Sequence, residues 1–289
     1  MAGLSRHHDV VGIDRNPWWG DLPVTMRQGD LMESDVLQQT VRFVAPEIVI
    51  HCAALANVEA CEQHPEAADT TNVTLTRRVA RAAPPGCRVI YISSDGVFSG
   101  DSPWSTEDEA PAPRTVYGRS KWQGEQEVAA AVANHLIVRT NFYGWSSGRK
   151  LTSGEWLHRA LAAREPMTLF TDFFFTPIYV VDVVERLTAF LHHPYRGVLH
   201  MGGRDRLSKH AFGMLMAEVG GFSTDAVRKG SLDEAPGTLR RPKDISLSSA
   251  RMAQLAELEA PDSRSGLRRF LADRDRPLSA RLAVSAVPA

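Results

Sequence analysis

The chain has 289 residues, 43% of them hydrophobic and 23% charged, which is enough apolar material for one or two globular domains with a substantial core. A formal net charge of −1 removes the electrostatic case for nucleic acid or an anionic membrane as partner and points to small molecules instead. Cys52, Cys61 and Cys87 show neither C-x-x-C spacing nor a histidine pair at metal-ligand distance, so no disulfide framework and no metal site are expected, and the three read as reduced core residues.

Residues 9–14, Asp-Val-Val-Gly-Ile-Asp, form a short apolar run closed by an acid. At the end of such a strand in a dinucleotide fold, a carboxylate takes the adenosine ribose hydroxyls and a neighbouring arginine accepts a 2′-phosphate. Asp14 and Arg15 offer both, leaving NAD and NADP open; a turn cap before Asn16-Pro17 would use Asp14 equally well. A second short run ends at Gln28-Gly29-Asp30-Leu31, and Ser34 with the periodic Val36, Leu37, Val41 and Val44 predicts a helix. Asp30 is placed to meet an adenine amino group or to cap a turn.

Ile48-Val-Ile-His-Cys-Ala-Ala54 has the continuous apolar character of a parallel strand covered on both faces, and the small Ala53 and Ala54 at its carboxyl end let a flat ligand approach the backbone. Residues 62–83 predict one helix carrying Asn72, ended by Pro84-Pro85-Gly86. Then come the strand Arg88–Ser94, an irregular acidic loop through Pro113, a helix from Tyr117 to about Ala133, and the strand His135–Asn141. Alternation at this pace implies βαβ units and a parallel sheet, whose ligands sit beyond the strand carboxyl ends, where Ala53, Ser94 and Asn141 fall.

After Gly144 the pattern loosens: a helix over 155–164, an extended stretch over 167–171, an aromatic turn at Asp172–Pro177, a helix over 180–192, a strand at Gly197–Met201 and a helix capped by Ser208. Gly144-Trp-Ser-Ser-Gly148-Arg-Lys150 has neither the ending nor the spacing of a phosphate loop and reads as a mobile loop. His192-His193 at a helix end is accounted for by the helix dipole. No apolar leader opens the chain and no run approaches 18 apolar residues, so neither secretion nor membrane spanning is expected, and the cytoplasm is the expected location.

The chemistry concentrates at Tyr117-Gly-Arg-Ser-Lys121 and the strand before it. Tyr117 and Lys121, four residues apart, share one helix face, so the ammonium is expected to lower the phenol pKa and let Tyr117 pass a proton near neutrality. Ser94, closing the preceding strand, is placed to hold a carbonyl oxygen beside that phenol. The three form a device for protonating a carbonyl while hydride arrives from a cofactor.

These stretches, with His51–Glu62, Tyr91–Phe98, Arg139–Gly144, Phe175–Asp182 and Arg241–Leu247, run in family order, and the chain resembles the extended short-chain dehydrogenase/reductase family, within it the dTDP-4-dehydrorhamnose reductase group. The resemblance implies an NAD(P)H-dependent reductase of a 4-keto-6-deoxy sugar carried on a nucleotide diphosphate. It implies Tyr117 as proton donor, Lys121 on the nicotinamide ribose and Ser94 where the family has Ser or Thr. Asp95 matches the acid that follows, while Gly96 stands where many members have Tyr. Cofactor contacts are expected from Asp14, Arg15, Asp30, Leu31, Ala53, Ala54 and Ser93 as well as Tyr117 and Lys121, and substrate contacts from Asp95, Asn141, Arg204 and Arg206; solvated surface charge is an equal reading of the two arginines.

The expected fold is α/β. A Rossmann-like doubly wound parallel sheet takes residues 1–150 and about 176–200, a smaller C-terminal α/β substrate domain takes 151–175 and 201–273, and 274–289 form a poorly ordered tail. A homodimer is compatible with this reading. An epimerase on the same scaffold and a non-catalytic binding or regulatory subunit are the alternatives. The family opens with a strand and a Gly-x-x-Gly-x-x-Gly turn that holds the cofactor pyrophosphate; this sequence contains no such motif, and its first residues correspond to the tail of the helix that follows that turn. Loss of the central strand leaves two sheet edges without partners at about 1–3 kcal/mol per unsatisfied buried group, so a start assigned too far downstream is the expected explanation, with a real truncation or a sheet-completing partner as alternatives. Cofactor binding by the chain as written is expected to suffer.

Overall fold

The computed structural model describes residues 3–5, 7–17, 24–146, 151–235 and 241–276. Residues 147–150 of the Gly144–Lys150 loop expected to be mobile, and residues 277–289 of the expected tail, lie outside the described residues.

In chain order the elements are β1 (Val11–Asp14), β2 (Thr25–Gln28), α1 (Ser34–Val44), β3 (Ile48–His51), α2 (Val58–Gln63), α3 (Pro65–Asp69), α4 (Leu75–Ala82), β4 (Arg88–Ser94), α5 (Val116–Ala131), β5 (His135–Thr140) and β6 (Phe142–Tyr143). They continue with α6 (Ser153–Ala163), β7 (Met167–Phe170), β8 (Phe174–Phe175), β9 (Ile178–Tyr179), α7 (Val180–Phe190), β10 (Gly197–Met201), β11 (Leu207–Ser208), α8 (Lys209–Gly220), β12 (Val227–Gly230), α9 (Ala250–Ala256) and α10 (Ser263–Ala272).

The β-branched runs pair in parallel because each is joined to the next by a helix long enough to cross back over the sheet. A four-stranded sheet forms in the order β10-β5-β4-β3. Its pleat sends alternate residues to opposite faces. Ile90, Leu136, Val138 and Leu199 meet Leu187 and Phe190 of α7, whereas Val89, Tyr91 and Ile137 meet Ala80 of α4 and Val128 of α5. Both faces are covered, as the continuous apolar sequence requires.

The parallel strands β1 and β2 form a separate two-stranded sheet. Among the described residues β3 pairs only with β4, and Ile48, Val49 and Ile50 are half-buried rather than enclosed. Strands β1 to β5 and β10 therefore fall, among the described residues, into two sheets, β1-β2 and β10-β5-β4-β3.

A second apolar core gathers the C-terminal elements, with Tyr143, Leu161, Phe212, Met216 and Phe270 at its centre. Around it lie the short pairs β12-β7, β11-β8 and β6-β9. No helix of the described residues is long and apolar enough to cross a membrane.

The helix expected over residues 62–83 is broken. Pro65 opens α3 after α2, and a π-helical turn over Thr70–Thr74 joins α3 to α4. That widened turn directs Asn72 inward, where Nδ2 donates to Leu55 O (3.1 Å) and Ser120 Oγ (2.9 Å) while Oδ1 accepts from Leu55 N (2.8 Å). One buried amide thus ties the loop after β3 to α5.

Helix α5 buries Gly118, Lys121, Gly124, Glu125 and Val128, a stripe at helical spacing. Two glycines let it lie close. A β-carbon on Gly118 would stand 2.1 Å from Gly96 O, and one on Gly124 would stand 2.4 Å from Tyr91 Oη and 2.7 Å from Asn72 O. Below them Glu125 accepts from Arg139 Nε (2.9 Å) and a terminal guanidinium nitrogen (2.7 Å) and from Ser93 Oγ (2.5 Å), all three residues being buried. Glu125→Ala leaves the Arg139 guanidinium buried without its counter-charge and is expected to lower unfolding free energy by about 3–5 kcal/mol. Urea denaturation checks this; a change below about 1 kcal/mol would assign the pair to the weak, solvent-screened class.

Candidate active site

The carboxyl end of β4 and the first turn of α5 meet. Ser94 is extended (φ −139°, ψ 152°) and opens a 3₁₀ turn over Asp95–Val97. Its hydroxyl accepts from Gly96 N (3.1 Å) and donates to Asp95 Oδ1 (3.0 Å). Opposite, the amides opening α5 are satisfied by Thr115 Oγ1, which accepts from Gly118 N (3.0 Å), and by Glu62 of α2, which accepts from Val116 N (2.6 Å). Tyr117 is thereby fixed in the first turn. A β-carbon on Gly96 would lie 3.4 Å from Ser94 Oγ and 3.7 Å from two ring carbons of Tyr117, so hydroxyl, phenol and glycine border one small space.

Burial pushes the Tyr117 phenol up to about 12; the Ser94 hydroxyl pulls it down, and Asp95 and Cys61 push it up. Lys121 is not among the groups acting on it, and the expected lowering by the ammonium is absent. Lys121 Nζ instead donates to Ile92 O (2.7 Å) and lies 4.0 Å from the centre of the Tyr91 ring. Burial pulls Lys121 down to about 7, with Cys52 and Glu125 drawing it back up. Tyr117 thus stands as a firmly protonated acid, the form that donates to a developing alkoxide. Burial also raises the Asp95 carboxyl, against hydrogen bonds from Asn141 and Ser94 and the charge of Lys209.

The other expected site residues divide. Asn141 Nδ2 donates to Asp95 Oδ2, placing both at the site. Cys52 and Ala53 are exposed at the end of β3, which keeps that strand end open to a ligand, although Cys52 is then no core residue as expected. Asp14 is exposed at the end of β1, where Oδ1 accepts from Asn16 N (2.8 Å); Arg15 beside it is exposed. Asp30 Oδ1 accepts from Met32 N (2.8 Å), the turn-capping alternative, and Leu31 packs partly against Leu37 and Val79. Ser93 is turned into the sheet toward Glu125, so its side chain does not serve a cofactor. Arg204 is exposed, 3.8 Å from Asp205 and 4.0 Å from Asp262. Arg206 clamps Asp244 and lies 3.8 Å over Phe174. Arg204 thus fits the solvated surface-charge reading, and Arg206 is engaged by Asp244 beside the aromatic turn.

Glu62 and Lys209 were not found from sequence, and Asn72, named there on its helix, was given no role. Glu62 and Asn72 act across the fold on α5, and no local pattern marks such contacts. Lys209 follows the helix-capping Ser208, which places it in the first turn of α8 and says nothing of what it faces.

The residues present fit the nicotinamide half of a dinucleotide: an open strand end at Cys52-Ala53-Ala54, a lysine with one of three N–H groups engaged, and a phenol beside a hydroxyl. For the pyrophosphate, the described residues hold no glycine-rich turn at a helix N-terminus.

A family model, the RmlD substrate binding domain, matches residues 2–276. A dTDP-4-dehydrorhamnose reductase from Mycobacterium tuberculosis (strain CDC 1551 / Oshkosh) is 32% identical over 241 residues, covering 80% of this chain and 78% of the relative. One from Escherichia coli (strain K12) is 28% identical over 84% of this chain and 85% of its own. Among solved structures, dTDP-4-dehydrorhamnose reductase from Bacillus anthracis in complex with NADP superposes with a TM-score of 0.80 at 28% identity, covering 88% of this chain and 91% of that one.

The lowered Lys121 gives a signed pH effect. Well above its usual 10.5, folded and unfolded chains both hold the amine neutral. As pH falls toward 7 the unfolded chain takes up the proton first, so the wild type loses stability relative to Lys121→Met until about pH 7 and no further below it. Denaturation midpoints of both proteins across this range are expected to diverge as pH falls; a constant difference refutes the buried-amine account.

Proposed function

Since the chain belongs to the RmlD substrate binding domain family, we propose that it is an NAD(P)H-dependent reductase of a nucleotide-linked 4-keto-6-deoxy sugar of the dTDP-4-dehydrorhamnose kind. The observation that carries this is the adjacency of the Ser94 hydroxyl and the Tyr117 ring around Gly96 at the carboxyl end of a parallel strand. Relatives named as reductases of that ketone, and one solved with NADP, supply the reaction class.

The open strand end at Cys52-Ala53-Ala54 would seat a nicotinamide cofactor, which when bound would supply the hydride. Lys121, which among the described residues engages one of its three N–H groups, would hold its ribose, and Asp14 and Arg15 would meet the adenosine end, where NAD and NADP are distinguished. As hydride reaches the ketone carbon, the carbonyl π electrons move to oxygen. Tyr117 gives that oxygen its phenolic proton and is left as phenolate, and Ser94 orients the oxygen toward it. A phenol held up to about 12 keeps its proton until the alkoxide forms, so transfer follows charge development on the substrate. Asp95 and Asn141 line the sugar side. The same reading takes the chain as a cytoplasmic protein, and its two apolar cores as a dinucleotide domain and a substrate domain.

Tyr117→Phe is expected to lower kcat by about 10²- to 10⁴-fold with the thermal midpoint unchanged, measured as NADPH or NADH oxidation with a dTDP-4-keto-6-deoxy sugar. Retained turnover in the variant removes Tyr117 from the chemistry. Absence of cofactor oxidation by the wild type with either nucleotide favours the non-catalytic binding subunit.

A further inference from the structure

Gly96 is a glycine that the fold does not ask for. Gly118 and Gly124 are required by close approach, and Gly100 by a positive φ (+81°) and by Pro242, whose Cβ would lie 2.4 Å from an added β-carbon. Neither constraint acts on Gly96. It is not among the glycines of positive φ, it is the middle residue of the 3₁₀ turn Asp95–Val97, and a β-carbon on it would meet nothing nearer than 3.4 Å, which is ordinary contact. A glycine there gives up backbone order, and what it leaves in exchange is a missing side chain.

That side chain would enter the reacting space. The β-carbon position is 3.4 Å from Ser94 Oγ and 3.7 Å from both Cδ1 and Cε1 of Tyr117, and Gly96 is partly exposed between the buried Asp95 and Val97. Cε1 adjoins the ring carbon that bears the phenolic oxygen. A ketone oxygen received by the Ser94 hydroxyl and that phenol brings one of the carbons flanking its carbonyl, with the substituent it carries, toward Gly96.

The surface waiting there is apolar. Gly96 N donates to Ser94 Oγ (3.1 Å), and Gly96 O is turned to α5, where Gly118 passes it. Both oxygens of Asp95 already accept, Oδ1 from Ser94 Oγ (3.0 Å) and Oδ2 from Asn141 Nδ2. Ser94 is committed to the ketone oxygen. What remains is the α-carbon of Gly96 and one edge of the Tyr117 ring. A hydroxyl seated against them gives up water without a new partner, whereas a methyl group gains from burial. In a 4-keto-6-deoxy sugar, one carbon beside the ketone carries a hydroxyl and the other carries a methyl group.

We infer that Gly96 is the seat of that methyl group, and that its missing side chain is a specificity determinant for sugars bearing a methyl on the carbon next to the ketone. This rests on the reductase reading for the position of the ketone, so the test reads binding and turnover separately. Calorimetric titration of the full chain uses two dTDP-linked probes, the 4-keto-6-deoxyhexose and the 4-ketopentose that has hydrogen in place of the methyl. Wild type is expected to bind the methyl-bearing sugar about 10- to 200-fold more tightly, the worth of one carbon in a fitted apolar pocket.

Gly96→Ala puts a methyl of the protein where the methyl of the sugar sits. It is expected to bring the ratio to one or below by weakening the hexose far more than the pentose, with a thermal midpoint unchanged or raised because the turn accepts alanine. An unchanged ratio, equal weakening toward both sugars, or a lowered midpoint overturns the seat. Cofactor oxidation is followed with the same two sugars. Turnover of both with an unchanged ratio overturns the seat and leaves the reductase reading; selective binding without oxidation leaves the seat and removes that reading. Binding of neither sugar by the wild type overturns both.

Discussion

The closeness of α5 to the end of β4 is the constraint from which the site follows. Gly118 passes Gly96 O where a β-carbon would stand 2.1 Å away, and Gly124 passes Tyr91 Oη and Asn72 O nearly as closely. Any side chain at these positions would lift the helix and carry Tyr117 away from Ser94. The approach is held by groups on three other elements: Glu62 accepts from the Val116 amide, Asn72 donates to the Ser120 hydroxyl oxygen and Arg139 donates to Glu125. The proposed chemistry uses a phenol and a hydroxyl, whose placement depends on what lies beneath them.

Burial dominates the electrostatics of the site. It raises Tyr117, lowers Lys121 and raises Asp95, and in each case it is the largest influence. Neighbouring charges act as corrections. The helical spacing of Tyr117 and Lys121 brings them to one face as geometry demands, yet the lysine reaches past the phenol to a strand carbonyl. Spacing along a helix fixes which residues share a face and leaves open where a four-carbon side chain ends.

The strands, the crossover helices and the Ser94–Tyr117 pair were legible in the sequence because each depends on local pattern: apolar runs, alternation, capping residues and a fixed i, i+4 offset. What stayed hidden depends on contacts between distant segments. Arg206 looks like any surface cation until Asp244, 38 residues on, occupies it. Ser93 and Ser94 are indistinguishable as letters, and the pleat alone decides that one faces Glu125 and the other the cleft. The π-helical turn at Thr70–Thr74 interrupts what reads as an unbroken helix, since its cause is the fit of Asn72 between Leu55 and Ser120. Lys209 belongs to the same class, being defined by the rings of Phe173 and Phe175.

The divided sheet has a consequence for how molecules of this protein meet. Among the described residues the outer rim of β3 presents a short row of amides and carbonyls beside the half-exposed Ile48, Val49 and Ile50, and the strand itself carries no lysine or proline of the kind that ordinarily blunts such a rim. Extended apolar peptide, from whatever source, finds there both hydrogen-bond complementarity and a surface to cover.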